Sequence, residues 1–149
     1  LAFTAEESPA KIQQTGYRIR PVGESGDPSQ PSMYEMSVKS WITGPLMDAA
    51  TGKVQIHGVA MGGTSAVEKV ELSLDGGETW AEAPFVGPDL GPYAWRPFVV
   101  IADLEAGTHT LASRAMNATG DVQPEDFPPN ERAYGHNGWR AHAVDVTVS

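Results

Sequence analysis

From residue 34 onward, the chain contains short runs in which apolar and polar residues alternate, and most of these runs end at glycine or proline. Residues 67–74 are the clearest case, because the turn-forming tripeptide Asp75-Gly76-Gly77 follows them directly. Alternation with a period of two places apolar side chains on one face of a strand, and glycine accepts the positive φ of a tight turn. The predicted strands are residues 34–42, 53–61, 67–74, 79–85, 93–102, 108–118 and 140–148. Seven short strands without a convincing amphipathic helix predict an all-β, immunoglobulin-like two-sheet sandwich.

The composition provides for a packed core but for no covalent cross-link. Hydrophobic residues make up 40% of the chain, and there is no cysteine. The lack of cysteine excludes disulfides, zinc–thiolate sites, iron–sulfur clusters and a cysteine nucleophile, and it excludes a true antibody-type domain with its inter-sheet disulfide. Packing alone must therefore hold the sandwich, and we predict that Trp80, Trp95 and Phe98 form its centre.

The chain carries a formal net charge of −9 at pH 7. This charge opposes binding to nucleic acid and to anionic membrane surfaces. No segment approaches 18 consecutive apolar residues, so the sequence predicts no membrane-spanning helix. Because the same charge repels small anions in general, a site for an anion would have to be created by local groups.

Residues 1–33 differ in composition from the rest of the chain. Within them, residues 23–32 are a polar run of glycine, proline and serine that is typical of a linker. We therefore predict an extended arm and linker over residues 1–33 and the sandwich domain over residues 34–149. The first residue is Leu1, and no basic segment of a signal peptide follows it. We interpret the chain as the C-terminal part of a longer polypeptide.

No complete catalytic or metal-binding set is visible in the sequence. The chain has neither the G-x-S-x-G motif of hydrolases nor the H-E-x-x-H motif of metalloproteases. The histidines are predicted to be exposed strand residues (His57 and His142), a turn residue (His109) and a loop residue (His136). No metal site is expected from them. Asn117 begins a glycosylation sequon, which is a pattern short enough to occur by chance.

One arginine lies in an unusual setting. The arginines of the predicted strands, which we expect to be exposed or to form cross-strand pairs, are Arg96, Arg114 and Arg140. Arg132 instead lies in a long loop, residues 122–139, whose prolines restrict the backbone. A guanidinium held in this way can present its planar fork to an oxyanion, so Arg132 is the candidate anion-binding residue. An ion pair with Glu131 or Asp126 is the alternative that the sequence leaves open.

Several motifs of the chain resemble the C-terminal dimerisation domain of the sulfite oxidase family of molybdenum enzymes. They occur in the order found in that family, over residues 34–149. The matching segments are residues 38–45 (VKSWITGP), 58–63 (GVAMGG), 67–80 (VEKVELSLDGGETW), 94–96 (AWR), 113–117 (SRAMN), 122–124 (VQP), 130–132 (NER) and 137–139 (NGW). The strand-and-turn segment 67–80, followed by the segment with Gln123-Pro124 and the later asparagines, is a specific combination.

The resemblance implies an immunoglobulin-like fold, a homodimer and roles for two residues. In the family, one arginine of this domain enters the substrate pocket, and the loop motifs align it with Arg132. The segment at residues 15–21 is similar to the family segment that closes the molybdenum domain, and its active-site tyrosine matches Tyr17. The resemblance therefore implies that Arg132 binds the substrate anion and that Tyr17 is a catalytic residue. Ala133 stands where the family often has glycine.

The resemblance also implies a cofactor that this chain does not hold. Members of the family bind molybdenum through molybdopterin and one cysteine thiolate, and this chain has no cysteine. We therefore expect a missing N-terminal molybdopterin domain, a parent enzyme that oxidises sulfite to sulfate, a cytochrome-type electron acceptor, and no activity in this part alone. Two alternatives stay open: a non-catalytic immunoglobulin-like self-association module, and an enzyme of the same family that acts on sulfane sulfur or nitrate. Bacterial relatives are usually periplasmic, whereas the sequence itself indicates no compartment.

Overall fold

The structure is a computed structural model that describes residues 3–46 and 52–149. Its chain divides into two compact units. The first unit comprises Leu1–Met36 and Pro128–His136, and the second comprises Ser37–Phe127 and Asn137–Ser149. The middle of the long loop that carries Arg132 therefore belongs to the same unit as the start of the chain.

The second unit is the all-β sandwich that the sequence predicts. Its strands are β1 (Lys39–Gly44), β2 (Gly52–Met61), β3 (Val67–Ser73), β4 (Ala81–Glu82), β5 (Arg96–Leu104), β6 (Gly107–Asn117) and β7 (Val144–Val148). One sheet has the strand order β1-β2-β5 and the other the order β4-β3-β6-β7, and all neighbours are antiparallel. The predicted fold class is thus confirmed, and β3 and β4 form the predicted hairpin.

The core of the sandwich lies around Phe98, whose side chain is completely buried. Strand β2 contributes Val54, Ile56 and Ala60 to this core, while Gln55 and His57, which alternate with the first two, are exposed. This alternation is the period of two that made the segment recognisable as a strand. Gly58 lies directly opposite Phe98 in the register, and a Cβ atom at residue 58 would lie 2.0 Å from the Cζ atom of the ring. The phenyl ring therefore fits only because residue 58 has no side chain.

The prediction of three aromatic core residues is right for Phe98 alone. Trp95 is 37% exposed, because it lies just before β5 and packs edge-on against Trp41, with ring centroids 4.7 Å apart. Trp80 is half-buried and packs edge-on against Trp139, with ring centroids 5.0 Å apart. The tryptophan that is buried is Trp139, from the end of the long loop.

The first and the last strand begin four or more residues later than the sequence predicts. The first begins at Lys39 rather than at residue 34, because Tyr34 belongs to the first unit, where its hydroxyl donates to the Glu7 carboxylate. The last begins at Val144 rather than at residue 140, because Arg140–His142 form a short 3-10 helix. In both places, contacts with residues distant in sequence determine the backbone, and alternation of residue types does not reveal them.

The turn between β3 and β4 is held by Asp75. Its carboxylate accepts hydrogen bonds from the Ser73 hydroxyl (2.6 Å) and from the Thr79 backbone N–H (2.9 Å). Hydrogen bonds from these two residues, that of Ser73 foremost, hold the pKa of Asp75 well below its usual value. Strand β4 is shorter than the predicted 79–85, because the Trp80 indole N–H donates to the Gly77 carbonyl (3.0 Å) and keeps this segment in the turn.

The outer edge of β1 is paired with an amide side chain. Gln123 is 1% exposed, and its Oε1 accepts from the Ser40 backbone N–H (2.7 Å) while its Nε2 donates to the Ser40 carbonyl (3.1 Å). The same Oε1 accepts from the Ala115 backbone N–H on β6 (3.2 Å). Because an edge strand otherwise leaves backbone groups unpaired, Gln123 satisfies this edge and links the two sheets.

The sequon residue Asn117 is also buried. Its Nδ2 donates to the Gly62 carbonyl (3.0 Å) and to the Asp121 carboxylate (3.0 Å). Since a glycan would be attached at Nδ2, this enclosed amide supports the interpretation that the sequon occurs by chance.

The first unit contains one short helix, α1 (Lys11–Gln14), followed by a segment that returns on itself. Arg18 and Ser32 form an isolated antiparallel bridge, and the Met33 backbone N–H donates to the Tyr17 carbonyl (2.8 Å). The glycine-, proline- and serine-rich residues 23–32 make the return between these paired ends. In the described part of the chain, no helix is long and apolar enough to span a membrane.

Candidate anion-binding site

Arg132 lies in a turn that one asparagine side chain closes. The Oδ1 atom of Asn130 accepts from the backbone N–H groups of Tyr134 (2.9 Å) and Arg132 (3.3 Å), and its Nδ2 donates to the Tyr134 carbonyl (2.8 Å). The Ala133 backbone N–H donates to the Asn130 carbonyl (3.0 Å). Asparagine suits this position because its side chain offers both a donor and an acceptor to the backbone nearby. The backbone that carries Arg132 is therefore held at a defined geometry.

The backbone is strained at both candidate site segments. Ala133 has a φ of 53° and Tyr17 a φ of 45°, and within residues 3–46 and 52–149 these are the non-glycine residues with positive φ. The left-handed region costs a residue with a Cβ atom about 1–2 kcal/mol. Such strain concentrates at functional sites, where the surrounding structure holds it in place. The alanine that replaces the family's frequent glycine thus keeps a conformation that glycine adopts more easily.

The side chain of Arg132 is exposed and, within the residues that the structure describes, makes no ion pair. The two carboxylates that the sequence left open as partners are engaged elsewhere. The Glu131 carboxylate accepts from the Gly23 backbone N–H (2.7 Å), and the Asp126 carboxylate lies 3.5 Å from Nε of Arg140. The Arg132 guanidinium is accordingly open to an anion from solution.

Tyr17 belongs to the same unit as Arg132 and connects to its loop through one aromatic contact. The Tyr17 residue is 56% exposed, and its ring stacks on that of Tyr134 with centroids 5.7 Å apart and an interplanar angle of 20°. Tyr134 lies two residues after Arg132. The structure therefore brings the two predicted site residues to neighbouring segments, with Tyr134 between them.

Two hydrogen bonds reinforce this connection within the first unit. The Glu131 backbone N–H donates to the Arg20 carbonyl (3.0 Å), while the Glu131 carboxylate accepts the bond from Gly23. The residue before Arg132 is thus bound on both its backbone and its side chain. This arrangement also occupies the carboxylate nearest to Arg132 in the sequence, which would otherwise compete with an anion for the guanidinium.

A buried arginine supports the backbone next to Tyr17. Arg18 is 4% exposed, and its guanidinium donates to the Glu7 carboxylate (2.8 Å) and to three backbone carbonyls. A buried cation is tolerated only when its hydrogen-bonding groups are satisfied in this way. The pKa of the Glu7 carboxyl lies below its usual value, first because of the Tyr34 hydroxyl and then because of Arg18.

Sequence reasoning missed Tyr134 and Arg18 as supporting residues. Arg18 stands in a segment predicted to be an extended arm, and nothing in a single sequence distinguishes a buried arginine from a solvated one. Six of the seven strands lie between Tyr17 and Tyr134 in the sequence, so no local pattern could pair their rings. An aromatic residue close to the candidate arginine was the one available signal.

The remaining polar candidates do not form a second site. Within the described ranges, no group of three or more His, Asp or Glu side chains is placed to hold a metal ion. His57 is an exposed strand residue, as predicted. His142 was also predicted to be an exposed strand residue, and this prediction is wrong. It lies in the 3-10 helix, with its ring centroid 6.1 Å from that of Trp41. The turn prediction is wrong for His109, which lies within β6.

The prediction of a cross-strand pair is confirmed for Arg114. Its Nε donates to the Glu71 carboxylate at 2.7 Å across the β3–β6 register, and Lys69 donates to the same carboxylate at 2.8 Å. Burial raises the pKa of Glu71, but the two cationic donors outweigh burial, so this pKa lies below its usual value. The other strand-region arginines pair at the surface, Arg96 with Asp89 and Arg140 with Glu125 and Asp126.

The chain matches the model of one protein family and several characterised proteins. Residues 30–148 match the Mo-co oxidoreductase dimerisation domain, a range that contains Arg132 and excludes Tyr17. The chain is 39% identical over 132 residues to mitochondrial sulfite oxidase of Homo sapiens, with 81% of this chain and 24% of that protein covered. It is 31% identical over 140 residues to sulfite oxidase of Gallus gallus, with 87% of this chain and 30% of that protein covered.

A solved structure shares the fold. The sulfane dehydrogenase SoxCD from Paracoccus pantotrophus superposes with a TM-score of 0.64 and 25% sequence identity, covering 91% of this chain and 35% of that one. The chain therefore spans about a quarter to a third of the length of the sulfite oxidases and of the SoxCD chain. The match over nearly the whole sandwich shows that this chain belongs to the Mo-co oxidoreductase dimerisation domain family, and that its relatives are sulfite oxidases.

Proposed function

We propose that this chain is the C-terminal dimerisation and substrate-arginine part of a molybdenum-dependent enzyme that oxidises sulfite to sulfate. One observation carries the proposal. Arg132 lies on a turn that the Asn130 side chain closes, and Tyr134 at the end of this turn stacks on Tyr17. The described non-glycine residues with positive φ, Ala133 and Tyr17, lie in these same two segments. A loop held with this strain is suited to delivering a charged group at fixed geometry.

Arg132 binds the substrate anion in this proposal. Sulfite carries three oxygens, and a guanidinium donates two parallel hydrogen bonds to a pair of them. The chain's net charge of −9 repels anions in general, so retention of sulfite depends on this local cation. The Tyr17 hydroxyl, on the neighbouring segment, donates a hydrogen bond within the same pocket and sets the protonation of the bound anion.

In the proposed whole enzyme, a molybdenum cofactor would supply the two-electron oxidation, and a cytochrome-type protein would accept the electrons. The residues present here do not fit the cofactor itself. The chain has no cysteine to offer a thiolate, and the part described contains no cluster of metal-ligating side chains. We propose that an N-terminal molybdopterin domain outside this chain holds the cofactor and that this part alone is inactive. We further propose that the parent enzyme is a homodimer and that it is periplasmic.

Substitution of Arg132 in the whole enzyme tests the assignment. Arg132→Gln keeps much of the side-chain length but removes the charge, and it should lower kcat/KM for sulfite about 10- to 100-fold through a higher KM, because a hydrogen bond to a charged group contributes about 1.5–3 kcal/mol. The matched control is Arg140→Gln, which removes the same charge from an exposed arginine that pairs with Glu125. In steady-state kinetics, the kcat/KM of the control variant for sulfite should stay close to that of the wild type. Unchanged sulfite kinetics in Arg132→Gln would contradict the role of this residue.

A second substrate is favoured by the structural likeness to a sulfane dehydrogenase. The same cationic turn could hold a sulfane-sulfur compound with a terminal anionic group. Assays of the whole enzyme with sulfite and with such a compound separate the two cases, since the true substrate is the one whose KM responds to Arg132→Gln. If Arg132→Gln changes the KM of neither substrate, self-association would remain as the function of the chain.

A further inference from the structure

The outer face of the β1-β2-β5 sheet is unusually apolar. Along these strands, the positions that point away from the core include Trp41, Val59, Pro97, Val99 and Ile101. The strand register pairs Trp41 with Val59 and Val59 with Pro97. Val99 and Ile101 follow on the same face of β5, where they lie opposite His57 and Gln55 of β2. The last of the five is an isoleucine that is 65% exposed in the middle of a regular strand. An apolar stripe of this kind on a pleated surface is typical of a contact face.

The outer face of the other sheet has the opposite character. There, Glu71 accepts hydrogen bonds from Lys69 and Arg114, and the guanidinium of the latter lies 4.3 Å from the ring centroid of Trp80. These charged groups pair with one another within the chain. This part of the face is therefore charged rather than apolar. The two sides of the sandwich therefore differ in what they can bind.

Charge distinguishes the apolar face further. The chain has 19 acidic residues against 10 lysines and arginines, yet among the outward positions of β1, β2 and β5 only Asp103 is acidic. It lies directly opposite Lys53 in the register, and Lys39 adds a second cation. Two copies that each carry −9 repel each other least where acidic residues are few and are balanced by cations, and this is such a face.

The size of the face fits a modest interface. Strand spacing and rise give the three strands an extent of about 15 Å by 30 Å, roughly 450 Å² before the relief of the side chains is counted. Two such faces together bury about 1,000 Å², near the lower limit for a specific protein–protein interface. A dimer formed by this sheet alone should dissociate on dilution.

We propose that the outer face of the β1-β2-β5 sheet is the surface on which a second copy of this chain binds. The inference rests on the dimerisation in the proposed function and assigns it to one sheet. A two-fold axis through the stripe places the apolar face of one copy against the same face of the second copy. The two sheets then pack face to face, as in a sandwich. Residues near that axis, Val99 and Ile101 among them, contact the partner's copies of the same strand.

A charge placed in the stripe tests the assignment. Ile101→Asp should raise the dissociation constant of the dimer about tenfold or more, because each protomer then buries an unpaired carboxylate. The matched control is Val122→Asp, which adds the same charge at a residue 45% exposed outside this sheet and should change the constant less than about threefold. Sedimentation velocity over a concentration series measures both, and circular dichroism confirms that each variant is folded.

Cross-linking gives an independent measurement should Ile101→Asp fail to fold. Because the chain has no cysteine, Ile101→Cys carries a single thiol, and a short bismaleimide should join two copies covalently while Val122→Cys stays monomeric on denaturing gels. A wild-type dimer that survives Ile101→Asp and does not cross-link at residue 101 overturns the choice of face but leaves dimerisation intact. A wild-type chain that is monomeric at every concentration overturns both. Neither outcome depends on the sulfite kinetics of Arg132, which stand or fall separately.

Discussion

Single residues decide the geometry of the candidate site. Ala133 and Tyr17 adopt positive φ values that cost each about 1–2 kcal/mol, and local bonds compensate: Asn130 closes the turn around the alanine, and Tyr134 stacks on the tyrosine. Selection for stability alone would favour glycine at both. The strain is therefore an argument that the exact placement of Arg132 and Tyr17 matters to function.

The Tyr17 hydroxyl can be tested apart from its ring. Tyr17→Phe keeps the stack on Tyr134, so in the whole enzyme it should lower kcat for sulfite about 10- to 100-fold with a smaller change in KM, because only the proton-donating group is lost. Tyr93→Phe, at a tyrosine 75% exposed in the second unit, is the control. Equal kinetics for the two variants would reduce Tyr17 to a packing residue.

At the scale of strands and turns, the sequence predicts what depends on neighbouring residues. All seven strands were predicted because alternation and glycine turns are local signals, and the turn at Asp75 was predicted for the same reason. What failed depends on distant partners. Trp95 packs against Trp41, a partner distant in sequence, and is not part of the core. The edge of β1 is paired by Gln123, which no alternation pattern could reveal.

The candidate site follows the same division. Arg132 could be singled out because prolines and asparagines fix its loop, whereas the role of Tyr17 came from family resemblance alone. The stack between Tyr17 and Tyr134 joins segments at opposite ends of the chain, so it required the structure. The burial of Arg18 beside Tyr17 likewise has no local signature.

The charged network between β3 and β6 should make stability depend on pH. The pKa of Glu71 is lowered in the folded state, so its contribution is fully present above the unfolded value of about 4.3 and is lost as the pH falls through the folded value. At pH 7, Glu71→Gln should lower the free energy of unfolding by about 1–3 kcal/mol, since Arg114 and Lys69 lose their shared carboxylate. Urea unfolding at pH 7 and pH 3 measures the difference between variant and wild type, which should shrink at the lower pH.

Glu82 provides the matched control for this network. It lies opposite Glu71 on β4, is exposed, and makes no ion pair in the part of the chain that the structure describes. Glu82→Gln should therefore be neutral or slightly stabilising at pH 7, because it removes a like charge next to Glu71. A pH-independent loss in Glu71→Gln would indicate that packing, rather than the ionised carboxylate, is what the substitution removes.

At the scale of the whole molecule, the dominant property is an excess of negative charge that the dimer has to overcome. Most of the 19 acidic residues lie outside the β1-β2-β5 face, so association there combines apolar contact at short range with repulsion at long range. The two contributions respond differently to salt. Screening weakens the repulsion between distant exposed charges, while burial of apolar surface is little affected by moderate salt.

Salt should therefore tighten the dimer. Raising sodium chloride from about 10 mM to about 150 mM shortens the screening length from about 30 Å to about 8 Å, and the dissociation constant of the wild-type chain should fall by about threefold or more as like-charged protomers repel less. Sedimentation velocity at both salt concentrations measures the change, with Ile101→Asp expected to stay predominantly monomeric in each. A constant that rises with salt would mean that ion pairs across the interface hold the dimer together. In that case the contact would have to lie on a charged surface of the sandwich, because the stripe around Val99 and Ile101 has too few charges to produce such a dependence.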